Sequence, residues 1–131
     1  MLQHLLLFRL KDKSPQVRRS AAIALKRLQN PELKMECPVQ KGLCELMDHD
    51  KSKEVRLEAL KRIDMNGDSL LAIYRRLRDQ DENVRAFTYE RLRKVACNAL
   101  SIKDRVNAIN TGLKDRSSKV KKVCSNLLIK S

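Results

Sequence analysis

A chain of 131 residues with 42% apolar content can bury a core, so wholesale disorder is excluded. Lys and Arg total 29 against 16 Asp and Glu, a formal net charge of +13 with 34% of residues charged. Three Gly and three Pro argue against a turn-rich β fold, and 3% aromatics without Trp exclude a base-stacking platform for single strands.

The opening stretch Met1 to Phe8 is apolar, but it lacks a basic leader and a small-residue cleavage site, and Arg9 follows at once. It reads as the first part of a helix over 2–11, not as a signal peptide. Ser14-Pro15 supplies an N-cap and a first-turn proline for a helix over 15–29, in which Val17, Ala21, Leu25 and Leu28 form one stripe. The same pair also fits a proline-directed phosphorylation site. Gln29 to Cys37 is the one irregular connector. Pro38 opens a helix over 38–48, and a further helix covers 53–65. Asn66-Gly67-Asp68-Ser69 reads as a terminal glycine abutting the next N-cap, so a helix spans 68–78. Helices over 82–97, 102–114 and 117–130 complete an all-α chain. No apolar run approaches the roughly 18 residues of a membrane span.

These helices fall into four copies of one pattern, Leu-x-Asp followed by Val and a basic residue. The copies are Leu10, Asp12, Val17 and Arg18; Leu46, Asp48, Val55 and Arg56; Leu77, Asp79, Val84 and Arg85; and Leu113, Asp115, Val120 and Lys121. The aspartates recur at intervals of 36, 31 and 36 residues, and the second copy is read with two extra turn residues. Four positions after the Val stand Ala21, Ala59, Thr88 and Cys124, all small. Eight positions after it stand Leu25, Ile63, Leu92 and Leu128, all apolar. Each copy is therefore helix A, a tight turn and helix B, with the small column letting neighbouring helices approach. One α-α superhelix over 1–131 is expected, in repeats of roughly 1–29, 38–65, 68–97 and 102–130.

The turn Asp, the basic residue after the helix-B Val, and the run from Ser14 to Leu25 resemble the HEAT-repeat signature. In the second half, Arg76 to Asp79, Val84-Arg85, Tyr89, Leu100 to Arg105, and Gly112 to Arg116 with Val120 resemble the HEAT subunits of condensin, G type. The resemblance implies a segment of a longer solenoid with no catalytic role. It implies a kleisin partner and, through that partner, SMC ATPases, and a place on mitotic chromosomes in the nucleus and also in the cytoplasm. It implies a structural ladder of Asp12, Arg18, Asp48, Arg56, Asp79, Arg85, Asp115 and Lys121 along the turns. It also puts the B helices on the concave side.

The remaining cations carry the functional reading. Ten residues after the Val stand Arg27, Met65, Lys94 and Lys130, basic in three copies of four and out of register with the turn carboxylates. With Lys26, Lys61, Arg62, Arg75, Arg91, Arg93 and Lys122 they form a candidate groove for double-stranded DNA, held by its phosphates. Four repeats at roughly 10 Å per helix layer span about 40 Å, or on the order of 12 base pairs. The competing reading is a HEAT adaptor of transport-receptor or phosphatase-scaffold type, whose excess charge meets an acidic protein. Leu57 and Ala86 are expected as exposed apolar residues, compatible with a partner. Val123, Leu127, Leu128 and Ile129 leave the last helix without a polar outer face, which suggests a further repeat.

Other chemistries find no support. His4 and His49 have no cysteine pair at ligand spacing, so no zinc or other cofactor is expected. Cys37, Cys44, Cys97 and Cys124 are read as reduced thiols. Asp64 to Asp68 resembles the opening of a calcium loop, but its glycine is misplaced and Arg75 stands where the terminal Glu belongs. No phosphate-cradling glycine loop or nucleophile elbow is present, and the only plausible pocket aromatic for a base-excising enzyme is Tyr89. Neither an enzyme, a membrane protein nor a small-molecule binder is indicated.

Overall fold

The computed structural model describes residues 2–30, 32–33, 36–95 and 99–130, with side chains given through 127. Helices α1 (Leu2–Arg9), α2 (Pro15–Leu25), α3 (Pro38–His49), α4 (Lys53–Arg62), α5 (Gly67–Arg75), α6 (Glu82–Arg93), α7 (Ile102–Leu113) and α8 (Ser118–Lys130) follow in order. Short 3-10 turns extend α2 over Lys26–Leu28 and α5 over Arg76–Arg78. Among the described residues there is no strand. The expected helices are all present, several shorter than read. The second B helix stops at Arg62, so Met65 lies in a loop. Cys97 falls outside the described residues.

The chain forms two compact units, Met1–Ile73 and Tyr74–Ser131. In the first, α2 packs on α4, α3 on α4 and α1 on α2. Its core is built from the predicted columns: Ala21, Leu25, Val55, Ala59 and Ile63 are all buried, joined by Val39, Leu43, Met47 and Leu60. In the second, α6 and α7 both pack on α8. Val84, Thr88, Leu92, Val120 and Cys124 fill that seam. Small side chains let helices close on one another, and Leu25, Ile63 and Leu92, eight positions after the first three Val residues, fill the space beside them.

The approach is tightest at Gly112 on α7, where an added Cβ would lie 2.7 Å from both the Cys124 Cβ and the Tyr89 hydroxyl oxygen. Tyr89 donates to the Ala108 carbonyl at 2.6 Å, and burial pushes its phenol far above the ordinary range. Ala86, read as exposed, is 3% exposed and belongs to this core, and Leu57 is half-buried. The face that α6 buries is wider than a single stripe, because Val84, Arg85, Ala86, Thr88 and Tyr89 are all covered.

Candidate nucleic-acid interface

Each A–B turn is a polar device built from a handful of residues. The turn Asp accepts the backbone N–H two residues on, at 2.9 Å for Asp12, Asp50 and Asp79 and 2.8 Å for Asp115. That next residue caps helix B. Ser14, Ser52 and Ser117 each accept one N–H at 3.4 Å, whereas Asp81 accepts two, from Asn83 at 3.0 Å and Val84 at 3.1 Å. The arginine after the Val then reaches back: Arg18, Arg56 and Arg85 each donate Nη1 to the turn Asp carbonyl at 2.8 Å.

The same guanidinium ties neighbouring hairpins. Arg18 grips the Asp50 carboxylate with Nε and Nη2 at 2.8 and 3.0 Å. Arg85 grips Asp115 at 2.8 and 3.1 Å. Desolvation raises the Asp115 pKa, but the Arg85 hydrogen bonds and the Ser117 N–H outweigh it and hold the carboxyl below its ordinary value. These pairs correct the expected register, because Asp50 occupies the seat assigned to Asp48, which lies earlier, on the last turn of α3. With Asp50 in place every Asp stands six residues before its basic partner, and the second turn has no insertion. Arg56 and Asp79 hold the expected turn positions, and Lys121 is exposed on α8.

The cations proposed for the groove divide between two ends of the hairpins. Lys26 and Arg27 lie on the 3-10 turn after α2, and Lys61 and Arg62 end α4. The Gln29 amide donates to both the Lys26 carbonyl at 2.9 Å and the Arg62 carbonyl at 2.7 Å, so these ends are adjacent. Lys26, Arg27 and Lys61 are exposed. Arg62, by contrast, is engaged with Glu58 at 2.7 Å, a carboxylate it shares with Arg19 at 3.0 Å. Burial pushes Glu58 up, and the two arginines together bring its carboxyl below the usual range.

In the second unit Arg91 and Arg93 end α6, with Lys94 as its exposed C-cap. Lys130 ends α8, its side chain beyond those described. Arg75 and Lys122 are not with them. Arg75 ends α5, next to the A–B turn, and Lys122 lies near the start of α8. Cations at helix C-termini also complement the terminal carbonyls, so this placement favours the helices themselves.

The model for "HEAT repeat" matches residues 2–30. Condensin complex subunit 3 of Xenopus laevis is 41% identical over 127 residues, 96% of this chain and 12% of that protein. The chain belongs to the HEAT-repeat family. Condensin complex subunit 3 of Homo sapiens is likewise 41% identical, over 95% of this chain and 12% of its own length. A crystal structure of the S. pombe condensin Cnd3-Cnd2 subcomplex superposes with a TM-score of 0.87 at 35% identity, covering 97% of this chain and 16% of that one. This HEAT-repeat segment thus spans about an eighth of the curated relatives it matches.

With the register corrected, a second set of HEAT-turn cations emerges that the repeat alignment missed. The residue between turn Asp and cap is Lys13, Lys51, Gln80 and Arg116, basic in three copies of four and exposed in all. Lys11, Lys13 and Lys51 border one shallow depression of about 640 Å³ with Arg18 and His49. The signal was present as Asp-Lys-Ser in the first two copies, but it was masked by the Leu-x-Asp match at Asp48.

Proposed function

We propose that this segment is a non-catalytic part of a condensin-type HEAT subunit, holding duplex DNA by its phosphates and docking a kleisin partner during mitotic chromosome condensation. The kleisin part of the reading is supported by the likeness to the Cnd3-Cnd2 subcomplex. SMC ATPases would be reached through that partner, and the site of action would be the chromosome, with passage through the cytoplasm. The DNA part rests on one observation: the turn carboxylates Asp50 and Asp115 are occupied by Arg18 and Arg85, while Lys26, Arg27 and Lys94 stand exposed at helix-B ends.

If about five phosphates are neutralised, log K against log salt falls with a slope near −4 to −5. Gel-shift titration of a mixed-sequence duplex measures this. Replacing Arg27, Lys94 and Lys130 by Glu should collapse affinity while the far-ultraviolet dichroism keeps its helical form. Absence of binding at ~50 mM salt, or binding indifferent to salt, refutes the DNA reading and leaves the adaptor.

A further inference from the structure

We infer that Asn66-Gly67 is a spontaneous deamidation site that the fold holds closed and whose product cannot rebuild the closure. It is the sole Asn-Gly pair in the sequence. Asn66 sits in a knot of neutral amides joining the end of α2, α3 and the α4–α5 loop. Its Oδ1 accepts the Asp68 and Ser69 N–H groups, both at 2.9 Å, and its Nδ2 donates to the Gln40 Oε1 at 2.7 Å. Gln40 is fully buried. Its Nε2 donates to the Gln29 Oε1 at 3.2 Å and to the Asp64 carbonyl at 3.3 Å. The Gln29 Oε1 in turn accepts the Asp64 N–H at 2.7 Å, and Gln29 Nε2 is spent on the Lys26 and Arg62 carbonyls.

Backbone groups therefore dictate which way each amide faces. Deamidation proceeds when the Gly67 nitrogen loses its proton and attacks Asn66 Cγ. A C–N bond forms, ammonia leaves, and water opens the resulting succinimide to aspartate or isoaspartate. Ring closure requires the carboxamide to turn and surrender all three of its hydrogen bonds. Afterwards a carboxylate oxygen faces the Gln40 Oε1, acceptor against acceptor. Flipping Gln40 would relieve that contact only by turning its oxygen onto the Gln29 Oε1 and the Asp64 carbonyl, and Gln29 is pinned by backbone at both of its atoms. The mismatch stays buried, where an unmet polar group is costly.

Gly67 completes the inference. Beyond its chain neighbours and its own helix backbone, no heavy atom lies within 4 Å of where its Cβ would stand, and its backbone is not in the left-handed region. Neither packing nor conformation demands glycine there, yet glycine is the neighbour that leaves the attack unhindered.

The test follows Asn66 by peptide mass spectrometry in the 131-residue chain incubated at mildly alkaline pH, folded and in urea. The folded chain should convert at least about a hundredfold more slowly, the factor set by an opening free energy of about 2.8 kcal/mol at 1.4 kcal/mol per factor of ten. Gly67→Ala should slow conversion in urea at least about tenfold and leave the thermal midpoint unchanged or higher. Asn66→Asp should lower that midpoint. If Asn66→Asp fails to fold, Gln40→Met supplies the readout, because loss of the Nδ2 acceptor should speed conversion in the folded chain. Equal rates folded and unfolded overturn the inference. So does an Asn66→Asp chain with an undiminished midpoint, or a Gln40→Met chain that converts no faster.

Discussion

Arg85→Met removes the guanidinium that closes the third turn and grips the fourth. Both side chains of the Arg85–Asp115 pair are 9% exposed, and Arg85 also donates to the Asp79 and Gln80 carbonyls at 2.8 and 3.1 Å. Methionine keeps most of the packed stem but takes the guanidinium away from a shielded carboxylate, which keeps only the Ser117 N–H among its named donors, and from the Asp79 and Gln80 carbonyls. Deleting one partner of a buried pair costs about 3–5 kcal/mol, and the lower end applies because both groups touch solvent. At a urea dependence of about 2 kcal/mol per molar, the unfolding midpoint should fall by about 1.5 M. Asp115→Asn in the Arg85→Met background should cost much less than it does alone, since the interaction is already gone. The sign with pH follows from the depressed Asp115 pKa. Its contribution is present above the unfolded value of about 3.9 and is lost as pH falls through the lower folded value. The gap between parent and Arg85→Met should therefore narrow in acid. Urea titrations followed by dichroism at neutral and acidic pH measure both effects. A midpoint unmoved by Arg85→Met, or costs that simply add, would refute the clamp.

Two further outcomes follow from packing and capping. Gly112→Ala drives a methyl into Cys124 and the Tyr89 hydroxyl, and overpacking of this kind costs about 1–3 kcal/mol. Cys124→Ala should recover part of it, read as a thermal midpoint that rises in the double variant. Ser52→Ala removes a single capping hydrogen bond and should cost about 1 kcal/mol, whereas Asp81→Ala removes two and should cost more. Denaturation midpoints that rank in the opposite order would count against the capping account.

Most of the fold was legible because the helix signals were local and repeated. Pro15 and Pro38 mark helix starts to the residue, and the small column after each Val, with Leu25, Ile63 and Leu92 of the large one, describes the cores of both units. The errors share one physical origin, that residue spacing is certain while phase is not. Asp48 and Asp50 both satisfy a loose turn pattern, and only the guanidinium geometry selects Asp50. Ala86 sits one step from a surface position, and a wider buried arc on α6 covers it. Arg75 and Lys122 carry the same charge as the cations at the helix-B ends but lie by the other end of the hairpins, about 18 Å away for a helix of a dozen residues. Arg62 carries the right charge and spends it on Glu58, which no spacing rule reveals. The amide knot was invisible for the opposite reason, since Gln29, Gln40 and Asn66 carry no charge and keep no common period.

That knot also bears on handling. A frame pinned by neutral amides has little to lose from dissolved ions, whereas a grip on a polyanion weakens by decades as counterions compete. Raising ionic strength should strip a bound duplex from this chain and leave the first unit's joint intact. Release and unfolding can thus be told apart with nothing more than a salt gradient.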